Sequence, residues 1–242
     1  MQIIGFYSFM NNSKIIGSNS GEPWIGLLDG TYAIVLTLLV IELPALIIEL
    51  VSLNEEGLSV VAVSSAIAKL IMGYLFATIL IYDLWALHKG FKSLCVASRF
   101  SSIFTMVILW LGSLIPPSIY LVQHYSQKYS ISEILDKEEI SILNFEIILI
   151  RFFEIGLFVI IYLLLLALFK NEIKSSLRED NKFRKELSDT AKIISYRVLA
   201  SLTLLIISLF VPTGVLAELP LALLALFTLM PSDLYGKKLI ST

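Results

Sequence analysis

Six apolar segments, separated by polar stretches, dominate this sequence. They cover residues 25–51, 58–87, 100–122, 142–169, 193–211 and 214–230. Each is near or above the roughly 20 residues that a helix needs to cross about 30 Å of hydrocarbon, and a helix satisfies its own backbone hydrogen bonds there. The segments predict an all-α polytopic membrane protein, with six transmembrane helices in a single domain over residues 1–242. The fifth and sixth also admit a helical hairpin that does not fully cross, although their lengths favour spanning.

Composition supports this class and argues against others. The chain is 57% hydrophobic and 16% charged, whereas soluble domains have about 45–50% apolar and about 25% charged residues. The basic residues lie in loops between apolar segments, which gives no indication of a nucleic-acid partner. No phosphate-binding loop, dinucleotide fingerprint or Gly-x-Ser-x-Gly motif occurs, so we expect neither an enzyme nor a cofactor.

The loops predict the orientation. Lysine, arginine and histidine concentrate after the second segment, between the fourth and fifth, and at the C-terminus, whereas the alternate loops are poor in lysine and arginine. By the positive-inside rule, both termini face the cytoplasm of a cell-membrane protein. Residues 1–22 are then a cytoplasmic tail, and residues 170–192 a solvated helical connector in the cytoplasm.

The first segment carries the most informative polar residues. On a helical wheel, one stripe contains Ile34, Thr37, Leu38 and Ile41, and Asp29 lies on the opposite side. Carboxylates inside a membrane span tend to face protein or water. Asp29 is therefore expected to be a structural anchor near the cytoplasmic end.

Two glutamates flank the same stripe toward its outer half. Glu42 and Glu49 are seven residues apart, and acidic rings of this kind raise the local cation concentration in cation channels. A different interpretation is that the Ile/Leu stripe is an ordinary packing or lipid-facing surface. From composition alone, that interpretation is the stronger one.

Two motifs resemble a known family. Residues 29–42 (Asp-Gly-Thr-Tyr-Ala-Ile-Val-Leu-Thr-Leu-Leu-Val-Ile-Glu) resemble the first-helix signature of the endolysosomal potassium leak channel family and its prokaryotic homologues. Trp85 and His88, followed by Phe91, resemble that family's Trp-x-x-His motif at the end of the second helix. A weaker match is Leu-Ile-Pro-Pro-Ser at 114–118.

The resemblance implies a fold and a function. It implies a homotetramer in which the first helix of each subunit lines a pore that passes potassium ions passively. The matching constriction or selectivity residues are Ile34, Leu38 and Ile41, with the Thr37 hydroxyl nearby. It also implies a polar network, formed here by Asp29, Trp85 and His88, that ties the first helix to the next two.

The sequence departs from the family pattern at several positions. Leu27 and Leu28 stand where the family has Phe and Ser, and Lys89 replaces the second residue of a His-His pair. The network is therefore either rebuilt from other residues, such as Ser101 and Ser102, or belongs to a divergent relative. The alternative function is a non-conducting accessory or transporter-like membrane protein that kept the fold.

Further charged residues lie inside the apolar segments. Arg151 and Glu154 are three residues apart on one predicted helix and are expected to form a structural ion pair. Lys69 is expected to be neutralised by an acidic neighbour, of which Glu49 and Glu42 are examples. A proton or ion relay is the less favoured interpretation of these groups.

Overall fold

The protein is all-helical over the residues that its structure, a computed structural model, describes. These are residues 22–55, 60–94, 99–135, 140–175, 181–210 and 219–229. The helices are α1 (Glu22–Glu55), α2 (Val60–Leu94), α3 (Arg99–Ser113), α4 (Ile115–Leu135), α5 (Ile140–Ser175), α6 (Asn181–Ser208) and α7 (Leu219–Leu229). The prediction of an all-α chain is confirmed.

Five stretches are long and apolar enough to cross a membrane. They are Trp24–Ser52, Val63–Ser93, Phe100–Tyr125, Ile148–Lys174 and Arg184–Ser208. Length and composition are thus consistent with a multi-pass membrane protein, in agreement with five of the six predicted segments.

The sixth predicted segment is shorter than expected where it is described. Helix α7 has 11 residues, which is about 17 Å at ~1.5 Å per residue, well below the roughly 30 Å of a hydrocarbon core. Residues 214–218 and 230, which complete the predicted segment, lie outside the described residues. So do most of the predicted N-terminal tail, residues 176–180 of the connector, and the C-terminal lysines.

The third segment forms two helices rather than one. Proline has no N–H to donate and disfavours helical geometry in the residue before it, and Pro116 and Pro117 follow each other here. At Leu114 the helix forms a tighter turn, in which the Leu114 N–H donates to the carbonyl of Leu111, three residues earlier (3.1 Å). The α-helical pattern begins again where the Ser118 N–H donates to the carbonyl of Leu114, four residues earlier (3.2 Å). Helices α3 and α4 are therefore joined by a bend inside one apolar stretch.

Helix α1 packs against α2 through one narrow seam. The buried positions are Leu28, Tyr32, Val35, Leu39, Leu46 and Leu50. Their spacing of three, four and seven residues is that of left-handed helix packing. Helices α5 and α6 form the most extensive helix pair, and α7 contacts α2 and α6.

A polar cluster lies where α2, α5 and α6 meet. Arg197 Nη1 lies 2.5 Å from the Asp83 carboxylate, and both side chains are only 13% exposed. The fully buried Tyr162 donates its hydroxyl to Asp83 Oδ2 at 2.8 Å. The three side chains satisfy each other in an apolar environment, where an unpaired charge would be costly.

Asp83→Asn should lower the free energy of unfolding by about 3–5 kcal/mol, because Arg197 would keep its charge without a partner. The measurement is thermal or denaturant unfolding of the detergent-solubilised protein. The matched control is Asp189→Asn, which breaks the exposed pair between Lys192 Nζ and Asp189 Oδ1 (3.1 Å) and should cost about 0–1 kcal/mol. Equal losses for the two variants would contradict a stabilising role for the Asp83–Arg197 pair.

Candidate functional site

One face of α1 is exposed along its whole length. The stripe residues Ile34, Leu38 and Ile41 are 62%, 42% and 64% exposed. Among the five candidate spans, the one in α1 has the smallest buried share. The surface available for lipid or another subunit is therefore larger on α1 than on any other of these spans.

Thr37 adds a polar group to this apolar face. Its side chain is exposed, and its hydroxyl donates to the Ala33 carbonyl one turn earlier at 2.7 Å. The hydroxyl hydrogen is thus used by the helix itself, while the oxygen keeps a lone pair that can accept from outside. Thr37 can present an oxygen to a cation or water without leaving a donor unpaired.

Asp29 lies near the N-terminal end of the same helix and is bound by side chains of α2. Trp85 Nε1 donates to Asp29 Oδ1 at 2.8 Å, and Lys89 Nζ donates to both carboxylate oxygens at 3.1 and 2.9 Å. Lys89 also lies over the Trp85 ring, 4.7 Å from its centroid. The arrangement neutralises the Asp29 charge and fixes the axial position of α1 relative to α2.

The family pattern does not predict that Lys89 pairs with Asp29, because Lys89 replaces a histidine of that pattern. The spacing within α2 does indicate the pairing: Lys89 lies four residues after Trp85, and residues i and i+4 lie on the same helix face. A lysine there brings a positive charge to the carboxylate that Trp85 already contacts.

His88 turns toward α3 instead of Asp29. Its Nε2 lies 3.3 Å from Thr105 Oγ1, and its ring meets the edge of Tyr32 at a centroid distance of 6.3 Å. One turn further, Lys92 Nζ donates to Ser101 Oγ at 2.7 Å. The structure therefore brings Asp29 and Trp85 together, and His88 contacts the same end of α1 through Tyr32.

The two glutamates of α1 have different surroundings. Glu42 is half-buried and falls on the seam that faces α2, between Leu39 and Leu46. Glu49 is exposed, and its Oε2 lies 3.6 Å from His124 Nδ1 on α4. Glu49 thus remains accessible, whereas Glu42 turns partly inward.

The other charged residues of the apolar segments also differ in their burial and in their partners. Arg151 and Glu154 are 1% and 3% exposed, so both lie in the protein interior. No ion pair links Lys69 to Glu42 or Glu49 within the described part of the chain, where Glu49 faces His124 instead. The predicted neutralisation of Lys69 by these glutamates is therefore not found among the described residues: Glu49 faces His124, and no basic side chain pairs with Glu42.

No family model matches the chain, and neither a curated protein nor a solved structure matches it. The likeness of the α1 and α2 motifs to the potassium leak channel family stays a prediction from those residues.

Adjacent leucines on α1 should respond differently to truncation. Leu39 is fully buried and Leu38 is 42% exposed, so Leu39→Ala should lower the free energy of unfolding by about 1–2 kcal/mol through lost packing. This is less than the 2–5 typical of soluble cores, since in a bilayer burial brings little transfer energy. Leu38→Ala should change it by less than half as much. Unfolding in detergent compares them, and equal losses would contradict the two-faced description of α1.

Replacing Lys89 should weaken the attachment of α1 to α2. Lys89→Met leaves the Asp29 carboxylate with Trp85 as its only described donor, whereas Lys89→Arg keeps the positive charge. We expect Lys89→Met to lower the unfolding temperature, though less than Asp83→Asn because Asp29 is partly exposed, and Lys89→Arg to stay near the parent protein. An unchanged unfolding temperature for Lys89→Met would contradict a role of Lys89 in attaching α1 to α2.

Proposed function

We propose that this chain is the subunit of a homotetrameric, potassium-permeable channel in the cell membrane, with α1 of each subunit around the pore. The observation that carries the proposal is the two-faced character of α1. Its seam packs on α2, while the stripe of Ile34, Leu38 and Ile41, with the Thr37 hydroxyl, has no partner within the described part of the subunit.

Symmetry supplies the partner for this stripe. Four copies around a closed axis would bring four equivalent stripes face to face and bury them. Rings of isoleucine and leucine side chains at successive turns would narrow the pathway to an apolar constriction, which gates by dewetting. Potassium gives up its hydration more readily than sodium, so such a ring penalises sodium more.

Charge along α1 supports cation permeation. At the inner end, Lys89 neutralises Asp29, so this carboxylate acts as an anchor and not as an ion-attracting charge. In the outer half, the exposed Glu49 offers negative charge to the surrounding water. An acidic outer mouth above an apolar constriction concentrates cations and excludes anions.

The second candidate is a non-conducting, transporter-like or accessory membrane protein. The observation that favours it is the break between α3 and α4 at Leu114, because transporters use interrupted helices around their substrate sites. Only one such break occurs among the described spans, so the channel is the better-supported proposal.

The experiment is ion flux from liposomes that hold the purified protein, with potassium and sodium gradients compared. Leu38→Asn should hydrate the constriction, increase flux several-fold and reduce the preference for potassium. The matched control is Leu75→Asn, at a similarly exposed leucine of α2 (49%), which should leave the ion preference unchanged. Equal effects of the two variants would contradict α1 as the pore-lining helix.

A second test addresses assembly and access. In a Cys95→Ser background, Ile34→Cys should react with a small membrane-impermeant thiol reagent, and chemical cross-linking in membranes should give a tetramer. A monomer without flux would favour the accessory-protein candidate. An intact tetramer in which Ile34→Cys does not react would contradict the pore assignment.

A further inference from the structure

The outer half of the spans contains a polar site that the channel proposal does not use. It lies where α1, α2 and α4 contact one another, and its acidic member is Glu42. One carboxylate oxygen, Glu42 Oε2, is buried and has no hydrogen-bond partner within the described residues. This oxygen lacks both water and a donor, whereas the side chain as a whole is half-buried.

Tyr74 of α2 also has a buried oxygen without a hydrogen-bond partner among the described residues. Its side chain is 4% exposed, and its hydroxyl is buried without a hydrogen-bond partner in the described part of the chain. The hydroxyl is within electrostatic range of Glu42 and of Tyr120 on α4. Buried polar groups are nearly always paired, so two unpaired oxygens on contacting helices indicate a missing occupant.

The neighbouring residues do not supply that occupant. Tyr120 stacks on His124, with a centroid distance of 5.9 Å and an interplanar angle of 7°, and His124 faces Glu49 rather than Glu42. No ion pair between Glu42 and a basic side chain is present among the described residues, Lys69 included. The negative charge of Glu42 is therefore uncompensated by this part of the protein.

The chemistry of the unpaired atoms indicates which kind of ion would bind between them. The two unpaired atoms are oxygens, from one carboxylate and one phenol, which suit hard cations. Within the described residues no group of three or more His, Cys, Asp or Glu side chains could hold a metal ion, which argues against a divalent ion that needs several charged ligands. A single carboxylate matches a single positive charge.

We propose that Glu42 and Tyr74 bind one partly dehydrated alkali-metal cation where α1, α2 and α4 meet. The cation neutralises Glu42 and occupies the space beside the Tyr74 hydroxyl. Because Glu42 is half-exposed, the ion can enter from the outer part of α1. The choice of potassium as the natural occupant rests on the proposed function, whereas the site itself does not.

Bound ion should stabilise the folded protein, because a ligand that binds only the native state shifts unfolding by mass action. The test is thermal unfolding of the full-length protein in detergent, with potassium chloride titrated against N-methyl-D-glucamine chloride at constant ionic strength. The unfolding temperature of the parent protein should rise with potassium and saturate.

Tyr74→Phe removes one oxygen and keeps the ring. It should raise the half-saturating potassium concentration about tenfold, which corresponds to roughly 1.4 kcal/mol. Glu42→Gln should abolish the potassium dependence, and if that variant does not fold, Tyr74→Phe alone decides. The controls are Tyr82→Phe, at an exposed tyrosine of the same helix, and Glu49→Gln, both of which should titrate like the parent protein.

Three outcomes would overturn the site: no potassium dependence in the parent protein, identical titrations for Tyr74→Phe and Tyr82→Phe, or stabilisation by acidification but not by any alkali cation. The last would mean that a proton alone neutralises Glu42. Failure of this site and failure of the channel are distinguishable, because saturable binding without liposome flux contradicts only the channel, and flux without binding contradicts only the site.

Discussion

Polar side chains inside apolar helices have to find partners within the protein, and the architecture depends on how they do so. Water is absent from a hydrocarbon core, so a charge there is tolerated only when it is paired or faces an aqueous cavity. Asp83 meets Arg197 and Tyr162 across three helices, and Asp29 meets Lys89 and Trp85 across two. These contacts fix relative heights and rotations that apolar packing alone would leave adjustable.

These polar contacts determine the orientation of α1 in particular. Once Asp29 is fastened to α2 and the leucine seam is packed, the rotation of α1 about its axis is determined. The face with Ile34, Leu38 and Thr37 must then point away from the rest of the protein. The position of the proposed pore surface thus depends on the Lys89–Asp29 pair, which fixes the other side of the helix.

Glu42 departs from this pattern of pairing. It occupies a seam position between the apolar Leu39 and Leu46, and the hydroxyl of Tyr74 on α2 is likewise unpaired among the described residues. Elsewhere in the described helices a buried acid meets a base or a donor. The contrast between Asp83, which is fully matched, and Glu42, which is not, is the physical basis for proposing a bound cation there.

Local sequence determined the helices, because about 20 consecutive apolar residues have few other ways to satisfy their backbone in lipid. It also determined the two faces of α1, since the period of 3.6 residues separates Ile34 and Leu38 from Asp29. The α3–α4 break follows from Pro116 and Pro117, which lie inside an apolar stretch long enough to predict a single span. Only the tertiary structure decided that Lys89 pairs with Asp29 and that His88 turns to Thr105. These contacts join residues distant in the chain, and their geometry follows from how whole helices are rotated and shifted against each other, which the pattern of any single helix does not encode.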